Sequence, residues 1–220
     1  MTETIQALSR AMYTDQQALR TLSTNLANAE TVGFRRLLPE RADSVFSTQQ
    51  GPPVSTGDER DLLLRGQAWF AVLGPNGEER LTRAGQFRAD PEGHWVDPLG
   101  FRLLGQTGPL QTVGAGVEVS EDGRVLQSGI EIDRLRLMQP LDVARVDPER
   151  PWMISSRDAV EAAAGSYAVT QGSLEASNVN VADEMVQLIE LTRHFELTQR
   201  ALTIYDRVQD TGINRLGENS

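Results

Sequence analysis

Leu22-Ser23-Thr24-Asn25-Leu26-Ala27-Asn28-Ala29-Glu30-Thr31-Val32-Gly33-Phe34-Arg35-Arg36 marks where the first helix of this chain ends. Upstream of it, Ile5, Leu8, Met12, Asp15, Leu19, Leu22 and Leu26 recur at alternating spacings of three and four. That rhythm predicts a helix with a heptad seam, interrupted once by Asp15. From Asn25 onward Asn, Ala, Thr and Gly replace the seam, residues that suit a helix C-terminus and a turn. Gly33 is the natural place for a positive φ, with Phe34 re-anchoring the chain on apolar surroundings, although Asn28 suits the capping role as well.

Working outward, the seam of residues 1 to about 30 is too narrow to bury itself, and an isolated helix of this length is marginal in water. A partner is available at the other end of the chain. Asn180 is a plausible N-cap, with Asp183 and Glu184 near the positive end of a helix dipole. Val181, Met185, Leu188, Thr192 and Phe195 then form a second seam, drifting to Leu202, Tyr205 and Val208. Between the helices the texture changes. Residues 35–60 hold Pro39, Gly51-Pro52-Pro53 and Gly57 and read as a connector, with a short helical piece around Arg41–Thr48. From Asp61, short apolar runs such as Trp69–Leu73 alternate with turn signals such as Gly74-Pro75-Asn76-Gly77. Residues 61–140 are therefore expected to form an all-β domain. An irregular return follows over 141–172, in which Ala159–Ala164 suits a short helix or a loop. The expected fold is α+β: terminal helices (1–34 and 173–220) paired like a coiled coil around a central domain of short antiparallel strands.

Composition narrows the function classes. Hydrophobic content of 39%, charged content of 24% and no long apolar run describe a chain without a membrane-spanning helix. The first 25 residues lack the apolar core of a cleavable secretory signal. Without cysteine there are no disulfides, thiolate metal sites or cysteine nucleophiles. A net charge of −10 offers no basic face for nucleic acid. His94 lies in a turn with Asp90, Glu92 and Asp97, where carboxylates are ordinary turn formers, and His194 sits on the second helix as a surface or interface residue. Gly114-Ala115-Gly116 lacks the third glycine and the helix of a phosphate loop, and no nucleophile elbow occurs. No catalytic residue, metal site, cofactor or small-molecule substrate is expected. The two seams suit either internal core or surface for another chain, and the long connector at 35–60, which separates the first helix from the β domain, speaks against internal core.

Asn25-Leu-Ala-Asn-Ala-Glu-Thr-Val-Gly-Phe34 resembles the N-terminal signature of the bacterial flagellar basal-body rod and hook proteins, the axial family of the flagellum. Gly172-Ser-Leu-Glu-Ala-Ser-Asn178-Val-Asn180-Val is similar to that family's C-terminal signature. The order Asp61-x-x-x-x-Gly66-Gln67-x-Trp69-Phe70, then Leu81-Thr82-Arg83-x-Gly85-x-Phe87, resembles its middle region. The resemblance implies a structural subunit that polymerises through its terminal helices with copies of itself and other rod proteins. It also implies a periplasmic rod location, reached through the flagellar export apparatus without a cleaved signal. The assembly residues so implied are Ile5, Leu8, Met12, Leu19, Leu22, Asn25, Leu26, Asn28, Thr31, Gly33 and Phe34 at one end. At the other they are Ser177, Asn178, Val179, Asn180, Val181, Met185, Leu188, Phe195, Leu202 and Tyr205. Thr192-Arg-His-Phe-Glu196 and the short chain resemble the proximal-rod type more than the distal-rod or hook types. A soluble helical scaffold or chaperone-like binding module is the alternative from another class.

Overall fold

The computed structural model describes residues 2–39, 44–141 and 150–217. The fold is α+β and falls into two compact units, Met1–Leu26 with Asn180–Ser220, and Ala27–Val179.

The first unit consists of helix α1 (Thr2–Ala27) and helix α2 (Val181–Gly217). On α1 the buried side chains are Asp15, Thr21, Leu22 and Asn25, while Ile5, Leu8, Met12, Leu19 and Leu26 are half-buried. On α2 the shielded row is Glu184, Leu188, Leu191, Phe195, Thr198, Leu202 and Tyr205, spaced alternately by four and three. Leu188 and Phe195 belong to the expected seam, but Val181, Met185 and Thr192 are exposed. Leu202 and Tyr205 of the expected seam also lie in the row, but it starts at a glutamate and passes through a threonine, so counting apolar residues alone finds only part of it. Asn180 caps α2: its Oδ1 accepts the Ala182 N–H at 3.1 Å.

Among the described residues of the second unit every paired strand is antiparallel. Strand Trp69–Leu73 is its centre. It pairs with Glu79–Thr82 on one side; on the other it pairs with Arg102–Leu103 at one end and Leu137–Pro140 at the opposite end. Successive side chains of a strand point to opposite faces. Phe70 and Val72 enter a large cluster with Leu62, Phe87, Trp95 and Phe101, whereas Trp69 and Ala71 enter a second with Leu81, Leu104 and Ile154. A strand buried on both faces reads as an uninterrupted apolar run, as Trp-Phe-Ala-Val-Leu does.

Two readings of local sequence change. Part of Arg41–Thr48 lies outside the described residues, and Ser44–Phe46 within it forms a strand paired with Leu37–Pro39. Ala159–Glu161 is also a strand, held by Leu137–Pro140 in the register Met138↔Glu161. Cross-strand pairing there overrides the helix preference of alanine. Strand Pro53–Ser55 pairs with Ser173–Glu175, and Leu62–Gly66 with Tyr167–Gln171. The chain thus leaves the β unit beside the place where it entered.

Candidate functional site

The two sequence signatures meet in this β unit. After α1 the chain turns: Thr31 N–H bonds Asn28 O at 3.1 Å, Thr31 Oγ1 donates to Asn28 Oδ1 at 3.1 Å, and Phe34 N–H bonds Thr31 O at 3.1 Å. Gly33 has φ +69°, and a Cβ placed there would lie 2.2 Å from Ala84 N. Both the left-handed backbone and the close approach of the Arg83–Ala84 backbone demand glycine. Gly33 N–H then reaches Glu175 O at 2.7 Å, and Phe34 is fully buried. Next along, Arg36 N–H donates to Asn178 Oδ1 at 2.6 Å, while Asn178 Nδ2 donates to Gln49 O at 2.8 Å. The incoming and outgoing strands are clasped by motif residues from both ends.

An ionic triad lies at the centre of the clasp. Glu175, 1% exposed, accepts Arg35 Nε at 3.1 Å on Oε1; its Oε2 accepts Arg83 Nε at 2.9 Å and Nη2 at 2.7 Å. Arg83 is fully buried, and its remaining N–H groups bond the carbonyls of Gly66, Ala68 and Leu64. Burial pulls the Arg83 pKa down to about 10; Glu175 opposes the shift and Arg35 adds to it. The guanidinium still carries its charge at neutral pH. Arg35 also stacks over Trp69, 5.7 Å from the ring centroid. Gly51 closes the arrangement, because a Cβ there would stand 1.7 Å from Ala176 O.

The expected assembly residues divide into three settings. Gly33, Phe34, Ser177, Leu22 and Asn25 are buried. Ile5, Leu8, Met12, Leu19, Leu26, Asn28, Thr31, Asn178, Val179, Leu188, Phe195, Leu202 and Tyr205 are half-buried, and Asn180, Val181 and Met185 are exposed. Within the helical unit Asn25 Nδ2 donates to Glu184 Oε2 at 3.1 Å, and His194 Nδ1 lies 2.7 Å from Asp15 Oδ2. Sequence reasoning passed over Arg35, Arg83, Glu175, Glu184 and Asp15 as functional residues. A charged residue at a seam position, which Asp15 plainly is, was the one available signal.

Asp90, Glu92 and His94 bring ligand atoms within 4.8 Å of one another. Two of them already engage each other: Asp90 Oδ1 accepts the His94 N–H at 2.8 Å, and Asp90 Oδ2 lies 3.3 Å from His94 Nδ1. Arg102 stands 3.9 Å from the same carboxylate, which disfavours a cation there. Among the described residues no helix is long and apolar enough to cross a membrane.

Three family models match in sequence order. Residues 5–35 match the flagella basal body rod protein model. Residues 63–145 match the D1 domain of the flagellar hook protein FlgE/F/G, and 170–216 the C-terminal region of the flagellar basal body rod FlgEFG proteins. The flagellar basal-body rod protein FlgF of Rhizobium meliloti is 31% identical, with 96% of each chain covered. FlgF of Caulobacter vibrioides is 30% identical over the same shares. The basal-body rod protein FlgG of Borreliella burgdorferi is 23% identical across 90% of this chain and 92% of that protein. The chain belongs to the flagellar basal-body rod and hook protein family. It is a structural axial subunit of the bacterial flagellum, and its relatives are structural rod proteins rather than enzymes. The N-terminal family match ends at Arg35 and the C-terminal one includes Glu175, so the clasp joins the two matched regions through a salt bridge.

Proposed function

We propose that this subunit builds the flagellar rod by polymerising through α1 and α2 with copies of itself and neighbouring axial proteins. Within each subunit the helices pair as an antiparallel, coiled-coil-like unit. The observation that carries this reading is that α2 is apolar on two faces. One face is the shielded row from Glu184 to Tyr205. Outside it, Met185, Val186, Ile189, Leu197, Ile204 and Val208 are each at least half exposed. An exposed apolar surface of this extent marks a contact with another chain. Among the described side chains of α1, only Tyr13 is a large exposed hydrophobe. The second face of α2 therefore meets the terminal helices of neighbouring axial subunits. The similarity to FlgF over nearly the whole chain supports a proximal-rod position, in the periplasm, reached unfolded through the flagellar export apparatus.

Two double variants separate the faces. Ile189→Asp with Leu197→Asp places carboxylates on the outer face, where each costs several kcal/mol on burial and every subunit repeats the cost. Rod assembly and motility should be lost while the melting of the β unit stays unchanged. Leu188→Asp with Phe195→Asp acts on the inner row and should also unpair the helices in the monomer. Normal swimming by the outer-face variant would sink the proposal.

A further inference from the structure

Among the described residues, Asn25–Glu184 and Asp15–His194 are polar contacts between the terminal helices, and three of these four side chains are almost wholly shielded. Asn25 is 0% exposed, Glu184 1% and Asp15 8%. From Asn25 to Asp15 is ten residues back along α1; from Glu184 to His194 is ten residues forward along α2. Both contacts therefore belong to one antiparallel register and stand about 15 Å apart along the helices. In that register Ala11 is level with Thr198, and Ala18 with Leu191.

The apolar rows alone do not select this alignment. A heptad row repeats every seven residues, so sliding α2 by one heptad again sets apolar positions against apolar positions. After such a slide Asp15 stands level with Gln187 or Ala201, and His194 with Leu8 or Leu22. Asn25 and Glu184 are separated as well. Buried carboxylates would then lose the donors that compensate their desolvation. A polar group at a seam position is the best-attested device for fixing register.

We propose that Asn25–Glu184 and Asp15–His194 are register pins, and that they, not the apolar rows, decide how far α2 lies along α1. This rests on the helix pairing proposed above. It gives Asn25, the first residue of the N-terminal signature, the role of recognising α2 within its own chain.

The chain contains no cysteine, so engineered disulfides in the full-length protein read the register directly. Ala11→Cys with Thr198→Cys reports the native alignment, and Ala11→Cys with Leu191→Cys reports a one-heptad slide. Under mild oxidation the native pair should cross-link at least about tenfold faster, the ratio that one lost pairing of this kind sets. In the background Asp15→Leu, His194→Leu, Asn25→Leu and Glu184→Leu the preference should collapse. An undiminished preference there overturns the proposal. The exchange Asp15→His with His194→Asp guards against simple misfolding: it should keep the native preference that His194→Asp alone weakens, and failure to do so also counts against the pins. If neither cysteine pair cross-links in the otherwise unaltered chain, the helices are unpaired, and the pairing reading fails with the pins.

Discussion

Glu175 carries more of this structure than its exposure to view would suggest. It is one carboxylate between two buried arginines, within 3.1 Å of both, and it also accepts Gly51 N–H at 3.3 Å. Removing one partner of a buried ionic group leaves the other charges desolvated, which costs about 3–5 kcal/mol. Glu175→Ala should therefore destabilise the β unit by that amount, lowering its melting temperature by roughly 6–20 °C for a unit of this size. Glu175→Gln keeps a hydrogen-bond acceptor but no charge, and should fall between Ala and the parent. Tryptophan fluorescence during heating measures all three. A Glu175→Ala protein melting with the parent would show that the arginines find other compensation. None of this was legible in Gly172-Ser-Leu-Glu-Ala-Ser-Asn178, because Arg83 is 92 residues away in the chain and Arg35 is 140. A short-range reading sees a glutamate in a polar turn. Gly33 was legible, since a positive φ is a local property that the residue type itself announces.

Turns and strands show the same division between local and distant causes. Asp97 closes the turn between strands Trp95–Val96 and Arg102–Leu103, accepting Leu99 N–H at 2.9 Å and Phe101 N–H at 2.8 Å on Oδ1. Desolvation by burial nonetheless raises its pKa above the ordinary carboxylate value. A folded-state pKa above the unfolded one means that the contribution to stability is fully present below the unfolded pKa and lost as pH rises through the folded one. Asp97→Asn keeps the acceptor without the charge. It should therefore be more stable than the parent at pH 7, with an advantage that vanishes as the pH falls below about 4. Equal melting temperatures at pH 7 would contradict this. The turn was readable from Asp97-Pro-Leu-Gly100, and the central strand from its apolar run. Ala159–Glu161 was not, because a distant strand decides its conformation. On α2 half of the expected seam, Leu188, Phe195, Leu202 and Tyr205, lies in the shielded row, which also includes Glu184 and Thr198, residues that no count of apolar positions selects.

At the scale of the whole molecule, the two units differ in what holds them. The β unit contains one cluster of buried side chains around Phe70 and Trp95 and a second around Trp69 and Leu81. In the helical unit, Leu22 is the one buried hydrophobic side chain among those described. Helices with so little apolar burial are marginal in isolation and gain most of their stability from packing against further surface. Assembly into a rod supplies that surface under the function proposed above. The monomer should then unfold in two stages, and its spectroscopic probes separate them without any labelling. Trp69, Trp95 and Trp152 all lie in the β unit, whereas α1 and α2 hold the long helices and no tryptophan. On heating dilute monomer, circular dichroism at a helix-sensitive wavelength should fall well before tryptophan fluorescence changes. In isolated rods the helical signal should persist to the higher transition, because each helix is then buried by its neighbours. A single coincident transition in the monomer, by both probes, would mean that the helical unit is stable on its own and does not depend on assembly for its order.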